Sequence, residues 1–151
     1  MEILNPMLGY AGRTFIGLIL ALVLATLGVI LGRMAIVFLG FISFEAFFSS
    51  FLAGVSIGAG VGSLIAWLWL RHTGPVFAAT LLLLAILGGA LGGWGGYIYY
   101  GVGYEVECCA RKTIVPQVFA VLGATLGANL MALCFGVTGH LVLRNRRSTH
   151  N

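Results

Sequence analysis

The chain has 151 residues, of which 60% are hydrophobic and 8% charged, and its mean hydropathy is +1.08. An average soluble domain is about 25% charged, so eight basic and four acidic side chains are too few to cover a soluble fold of this size. The composition excludes a soluble enzyme, a disordered segment and a nucleic-acid-binding domain, in spite of the net charge of +4. It predicts a single integral membrane domain over residues 1–151.

Four apolar stretches are separated by charged residues and turn signals, at about 15–38, 47–70, 76–100 and 118–142. A helix rises about 1.5 Å per residue, so about 24 residues cross a hydrocarbon core of about 30 Å with some tilt. None of the stretches shows the polar–apolar alternation of barrel strands, and an unpaired backbone is too costly in lipid. The sequence therefore predicts an all-α bundle of four transmembrane helices.

The basic residues predict how these helices are oriented. One end of the bundle carries five of them: Arg13, Arg71, Arg144, Arg146 and Arg147. The other end carries three, Arg33, Arg111 and Lys112, together with three of the four acidic residues, Glu45, Glu105 and Glu107. By the positive-inside tendency, both termini are expected in the cytoplasm. The first apolar stretch is much longer than the core of a cleaved signal peptide, so we expect it to be retained.

The two halves of the chain resemble each other. Residues 24–32 match residues 84–92 at six of nine positions with an offset of 60, and residues 54–59 resemble residues 123–128 with an offset of 69. Because each half holds two spans, the halves have the same membrane orientation. The sequence predicts two duplicated helical hairpins in parallel orientation, over about 13–70 and 75–142.

Every predicted helix carries glycines four residues apart, which place small residues on one helix face. Such faces let helix backbones approach closely in lipid, where no hydrophobic effect drives association. Two interpretations are open: packing within the bundle, or contact with a partner chain. The third helix has glycines on two adjoining rows, which favours a partner there. The predicted packing residues are Gly28, Gly32, Gly54, Gly58, Gly62, Gly88, Gly92, Gly96, Gly123 and Gly127.

A few polar residues fall inside the apolar stretches. On the fourth helix Thr125, Asn129 and His140 share a face, and Ser56 and Ser63 hold corresponding positions on the second. These two stripes either line a narrow path for water or a small solute, or hydrogen-bond across the interface between the halves.

Two further groups carry candidate chemistry. Arg33 lies about one turn inside the first span, where it either reaches the surface as an anchor, pairs with Glu45, or takes part in gating or binding. Cys108 and Cys109 lie in the longest connection, which is either a polar cap on the bundle or a site of intermolecular disulfide or redox contact. No histidine or third thiolate accompanies them there, so no metal site is expected.

The sequence contains no aspartate and no arrangement of a nucleophile, base or metal ligands near a span end, so we expect neither an enzyme nor a cofactor. The leading interpretation is a structural, assembly or accessory subunit that contacts the lipid bilayer and other membrane subunits, or itself, through glycine faces. The alternative is a small permeation protein, like a channel or transporter, that carries a solute or an ion and could work as an oligomer.

Overall fold

In the computed structural model the described part of the chain forms four α-helices, α1 (Leu4–Leu39), α2 (Phe44–Leu68), α3 (Pro75–Gly103) and α4 (Arg111–Ser148). The structure describes residues 4–40, 43–68, 74–103 and 111–148, with the backbone alone at 4–8, 44–45, 100–103, 111–115 and 140–148. Each helix contains a stretch long and apolar enough to cross a membrane: Gly9–Leu39, Ala46–Leu68, Pro75–Tyr99 and Pro116–Gly139. The prediction of an all-α chain with four such helices is confirmed.

The outer helices are longer than the apolar stretches predict. Hydropathy marks only the apolar part of a helix. Helix α1 begins at Leu4, before the predicted stretch 15–38, and α4 runs from Arg111 to Ser148, beyond both ends of the predicted stretch 118–142. A proline ahead of an apolar stretch is a sequence signal for a helix start, and Pro116 precedes the fourth stretch, but it lies inside α4 instead of opening it. A proline in the second turn removes one backbone hydrogen bond and already has a helical φ, so the helix continues through it.

Local capping explains three helix ends. Gly40 adopts a positive φ of 72° and its N–H donates to the carbonyl of Val37 at 3.3 Å, which terminates α1. The Ser43 hydroxyl accepts the N–H of Ala46 at 3.1 Å and caps α2. Gly74 precedes Pro75, whose missing N–H would have no partner in the first turn of α3.

Helices that follow each other in the chain run antiparallel, and the central pair, α2 and α4, runs parallel. α2 and α4 contact each other, and each also contacts α1 and α3. Over the part of the chain that the structure describes, α1 and α3 do not touch. We call the end of the bundle where α2 ends and α3 begins the terminal end, and the end where α1 ends and α2 begins the loop end.

Small residues form the core and large ones face outward. The buried apolar cluster between the helices consists mostly of alanines, namely Ala21, Ala25, Ala59, Ala85, Ala120, Ala124 and Ala128, joined by Phe51 and Val55. Large side chains such as Phe38, Leu83 and Leu126 are exposed. This distribution is opposite to that of a soluble bundle, in which large apolar side chains fill the core.

The two hairpins use the same kind of contact in different registers. Within the first hairpin, Gly28 lies against Gly54. The sequence offsets of 60 and 69 make Gly88 and Gly123 the corresponding pair, but Gly88 lies against Gly127, one helical turn further along α4. The helices of the second hairpin are therefore shifted by one turn relative to the sequence alignment.

Candidate functional site

The polar stripes on α2 and α4 lie in the centre of the bundle. Ser56, Ser63, Thr125 and Asn129 are between 0% and 4% exposed. They belong to the two helices that contact each other through the centre. His140 lies on α4 beyond this region, and its side chain is outside the described residues. The described members of the predicted stripe are thus all buried inside the fold.

Three of these side chains bond to their own helix. The hydroxyl of Ser56 donates to the carbonyl of Leu52 at 2.7 Å, and that of Thr125 donates to the carbonyl of Val121 at 2.7 Å. The Asn129 amide nitrogen Nδ2 donates to the carbonyl of Thr125 at 2.8 Å. Bonds to the preceding turn satisfy a polar group without joining two helices. The stripe therefore contributes little direct hydrogen bonding between helices.

Two buried polar atoms in the stripe remain without a conventional hydrogen bond. Ser63 Oγ and Asn129 Oδ1 have no hydrogen-bond partner among the described residues. An unsatisfied buried polar atom costs about 1–3 kcal/mol. These two atoms are the most polar unpaired points of the central α2–α4 region.

Asn129 Oδ1 lies against Gly17 of α1. A Cβ at Gly17 would overlap this oxygen and would lie 3.5 Å from Cβ of Ala66 on α2. The backbone of Gly17 therefore packs directly against Oδ1, with only a hydrogen atom where a side chain would begin. Three helices close around the amide here, and no side chain larger than hydrogen fits at residue 17.

The third helix closes the stripe from the other side. A Cβ at Gly89 would lie 3.2 Å from the carbonyl oxygen of Ser56 and 3.7 Å from that of Ala124. One turn further along α3, a Cβ at Gly93 would lie 3.3 Å from the side chains of Ala124 and Leu52. The backbone of α3 thus fills the space next to the part of the stripe that is nearer the loop end.

An aromatic cluster closes the stripe at the terminal end. The indole of Trp67, near the end of α2, lies on the backbone of Gly136 of α4, where a Cβ would overlap the ring. Its centroid is 6.2 Å from that of Tyr10 on α1, and the guanidinium carbon of Arg13 is 5.6 Å from it. We call Tyr10, Arg13, Trp67 and Gly136 the terminal cluster.

The predicted packing glycines lie at helix contacts inside the chain. On α1 and α2, added Cβ atoms would overlap the backbone of the facing helix at Gly28, Gly32, Gly54, Gly58 and Gly62. On α3 and α4 the same holds at Gly88, Gly92, Gly96, Gly123 and Gly127. The second glycine row of α3, Gly89 and Gly93, faces α2 as well as α4. Both rows of α3 therefore have neighbours within the same chain.

Arg33 lies at the loop end and links α1 to α4. Its Nη2 donates a hydrogen bond to the side-chain oxygen of Gln117. The guanidinium carbon lies 5.0 Å from the ring centroid of Phe47 and 5.9 Å from that of Phe51. The side chain of Glu45, the predicted partner, lies outside the described residues. The described contacts of Arg33 are thus an amide and two aromatic rings.

The predicted cysteine site also lies outside the described residues, because Cys108 and Cys109 fall between α3 and α4. Cys134 on α4 is a free thiol on the outer surface. Over the described part of the chain, no three His, Cys, Asp or Glu side chains come together as metal ligands.

An apolar groove of about 570 Å³ opens outward between α1 and α2. Its floor is made of small residues, including Gly28, Gly32, Gly54 and Ala53, and larger side chains such as Ile57 border it. A second open groove of about 380 Å³ lies between α1 and α4 and is also mainly apolar. Both grooves are on the outer surface, away from the buried stripe.

Sequence reasoning missed the residues that close the site. The sequence pattern does not indicate the contacts of Gly17, Gln117 and Arg13, although Gln117 and Arg33 are polar residues at the same end of their spans and could be paired on that basis. Nothing in the sequence marks Gly17, which has no glycine four residues away.

Comparison with protein-family models, with curated proteins and with solved structures finds no match to this chain.

Proposed function

We propose that the protein is a membrane-embedded structural or assembly subunit that acts by helix packing and has no catalytic step. The observation that carries this proposal is the contrast between interior and surface. The polar stripe is buried by close helix contacts around Gly17 and Gly89, whereas the outer surface is apolar and carries the groove between α1 and α2. The groove offers a contact surface on the outside, whereas each described residue of the stripe is at most 4% exposed.

Insertion of all four helices into a bilayer is part of the proposal. Supporting it are the apolar stretches of the four helices and the exposure of large side chains around an alanine core. We further propose that both termini are cytoplasmic, from the distribution of Lys and Arg. The two hairpins are proposed to derive from a duplication, with the one-turn shift arising afterwards.

The proposed occupant of the groove between α1 and α2 is an apolar transmembrane helix of another subunit. The groove runs along residues 24–36 of α1 and 50–61 of α2, which is about 18 Å of helix. A floor of glycine and alanine lets a helix approach backbone to backbone, and this close contact is what drives helix association in lipid.

Photo-crosslinking from the groove tests this proposal. A photoreactive amino acid replaces Ile57, which borders the groove and is exposed, and a matched control replaces Leu83, which is exposed on α3. In native membranes, position 57 is expected to give a discrete protein adduct and position 83 only lipid adducts. An A53F substitution that fills the groove is expected to remove the adduct.

The same adduct pattern at positions 57 and 83, or an adduct that A53F leaves unchanged, would overturn the assignment of the groove. An adduct at twice the chain mass of 15.9 kDa would identify a second copy of this protein as the occupant in place of another subunit. The two crosslinking positions, 57 and 83, lie on the outer surface, so folding is expected to be retained there. Circular dichroism checks the folding of each variant.

A second candidate function is permeation along the centre of the bundle. It is favoured by one specific observation, the two buried polar atoms Ser63 Oγ and Asn129 Oδ1 that lack hydrogen-bond partners among the described residues. Water or a small solute passing between α2 and α4 would satisfy both. Reconstituted vesicles with wild-type protein and N129L test this candidate: a flux of water or ions that N129L abolishes would favour permeation over the structural proposal.

A further inference from the structure

Arg13 occupies a distinctive position at the terminal end. Its guanidinium carbon lies 5.6 Å from the ring centroid of Trp67 and 6.0 Å from that of Tyr10. Trp67 is the next-to-last residue of α2, and α3 begins eight residues later at Pro75. The guanidinium therefore lies at the depth where the apolar stretches of α2 and α3 stop, which is the headgroup depth of a bilayer that the helices cross.

The acidic residues of the sequence give Arg13 no described partner. The sequence has no aspartate and four glutamates. The backbone of Glu45 lies in the first turn of α2, at the loop end, and the side chains of all four glutamates lie outside the described residues.

The surroundings of Arg13 favour an anionic ligand. The Nε atom is buried and has no hydrogen-bond partner among the described residues, while the side chain as a whole is partly exposed. Guanidinium groups on aromatic rings keep unused N–H donors at their edge, and these donors match the oxygens of a phosphate. Among the described residues, no carboxylate fills that match.

We propose that Arg13, held by Tyr10 and Trp67, binds the phosphate group of an anionic phospholipid in the leaflet at the terminal end. The guanidinium donates hydrogen bonds to the phosphate, and the indole and phenol rings fix its orientation. This inference rests on the membrane insertion proposed above, but it does not depend on the groove or on a partner subunit.

The test uses Trp67 as the reporter. W69F and W94F leave Trp67 as the only tryptophan. The protein is reconstituted into phosphatidylcholine vesicles, and phosphatidylglycerol or phosphatidylcholine with a spin label near the headgroup is added at equal mole fractions. We expect Trp67 to be quenched preferentially by labelled phosphatidylglycerol, with R13Q weakening its apparent affinity about fivefold. R13K, which keeps the charge, is expected to retain part of the preference.

R33Q is the matched control, because it removes an arginine at the loop end, and we expect it to leave the quenching of Trp67 unchanged. A preference for phosphatidylglycerol that persists in R13Q would overturn the site. Competition by millimolar inorganic phosphate would overturn the lipid as the source of the phosphate. Absence of Trp67 quenching by both lipids would contradict membrane insertion. If only the proposed groove contact were wrong, crosslinking from position 57 would fail, but the preference of Trp67 quenching for phosphatidylglycerol would persist.

Discussion

The side-chain oxygen of Asn129 and the backbone of Gly17 are in direct contact between α4 and α1. The amide is 3% exposed and its nitrogen is held by the carbonyl of Thr125 at 2.8 Å, so the oxygen cannot turn away without losing that bond. A hydrogen atom at residue 17 is all that the contact admits. This pair is one of the points at which α1 and α4 approach closely.

Replacing Gly17 with alanine is expected to destabilise the bundle by about 1–3 kcal/mol, because the added methyl group overpacks the contact with Asn129. The double variant G17A/N129A is expected to lose less than the two single variants together, since the second substitution removes the overlapping oxygen. Unfolding in SDS measures each free energy. G12A is the control, because nothing lies within 4 Å of a Cβ there, and additive losses at residues 17 and 129 would contradict the contact.

The second hairpin offers a sharper comparison on one helix. A Cβ at Gly92 would overlap the carbonyl oxygen of Gly123, whereas a Cβ at Gly95 meets nothing within 4 Å. G92A is expected to lower the free energy of unfolding by about 1–3 kcal/mol or more, because backbone cannot move aside as a side chain does. G95A is expected to change it little, as judged by the same SDS titration. Equal effects of the two substitutions would show that α3 and α4 do not pack in this register.

The terminal cluster gives a spectroscopic prediction. G136A is expected to push the indole of Trp67 outward, because the added methyl group would occupy the position of the ring. In the background with Trp67 as the only tryptophan, its fluorescence emission should shift to longer wavelength. G95A serves again as the control. An emission spectrum that G136A leaves unchanged would contradict the packing of Trp67 on α4.

The hydrogen bond between Arg33 and Gln117 is expected to join α1 to α4 at the loop end. R33Q and Q117L are each expected to cost about 1 kcal/mol, and the double variant should cost clearly less than their sum. A double-mutant cycle on the unfolding free energy checks this coupling. A coupling energy of zero would instead be consistent with an Arg33 that reaches the surface independently of Gln117.

The four helices were predictable because hydropathy depends on composition over long stretches, and no local detail alters it. The helix ends were less predictable. Pro116 is a signal for a helix start, yet α4 begins five residues earlier, at Arg111, because the loss of one hydrogen bond at the proline does not interrupt the helix. The register of α3 against α4 was also beyond the sequence, because Gly88, Gly92 and Gly96 repeat every turn. A repeat of equal glycines fits a neighbour equally well one turn further along.

The candidate site was partly foreseen. Ser56, Ser63, Thr125 and Asn129 could be placed on helix faces from spacing alone, but spacing does not say whether such faces are hydrated or packed. That depends on the helices that cover them, and the covering residues Gly17 and Gly89 carry no chemical signal of their own. For the same reason the two rows on α3 suggested a partner, whereas α2 and α4 of the same chain contact them.

In the proposed structural role, the buried stripe is dry packing and the protein acts through its outer surface. Cysteine accessibility at Ser63 tests it most directly, in a background in which the three native cysteines are replaced by alanine. The reagent is a small water-soluble methanethiosulfonate, applied to native membranes. G74C provides a water-exposed control at the terminal end, and L126C provides a control on the exposed apolar surface of α4.

We expect rapid labelling of G74C and none of S63C or L126C, since Ser63 is 0% exposed and Leu126 would face lipid. Labelling of S63C at a rate approaching that of G74C, with L126C unlabelled, would show water between α2 and α4. That result would contradict a structural subunit with a closed interior and would favour permeation.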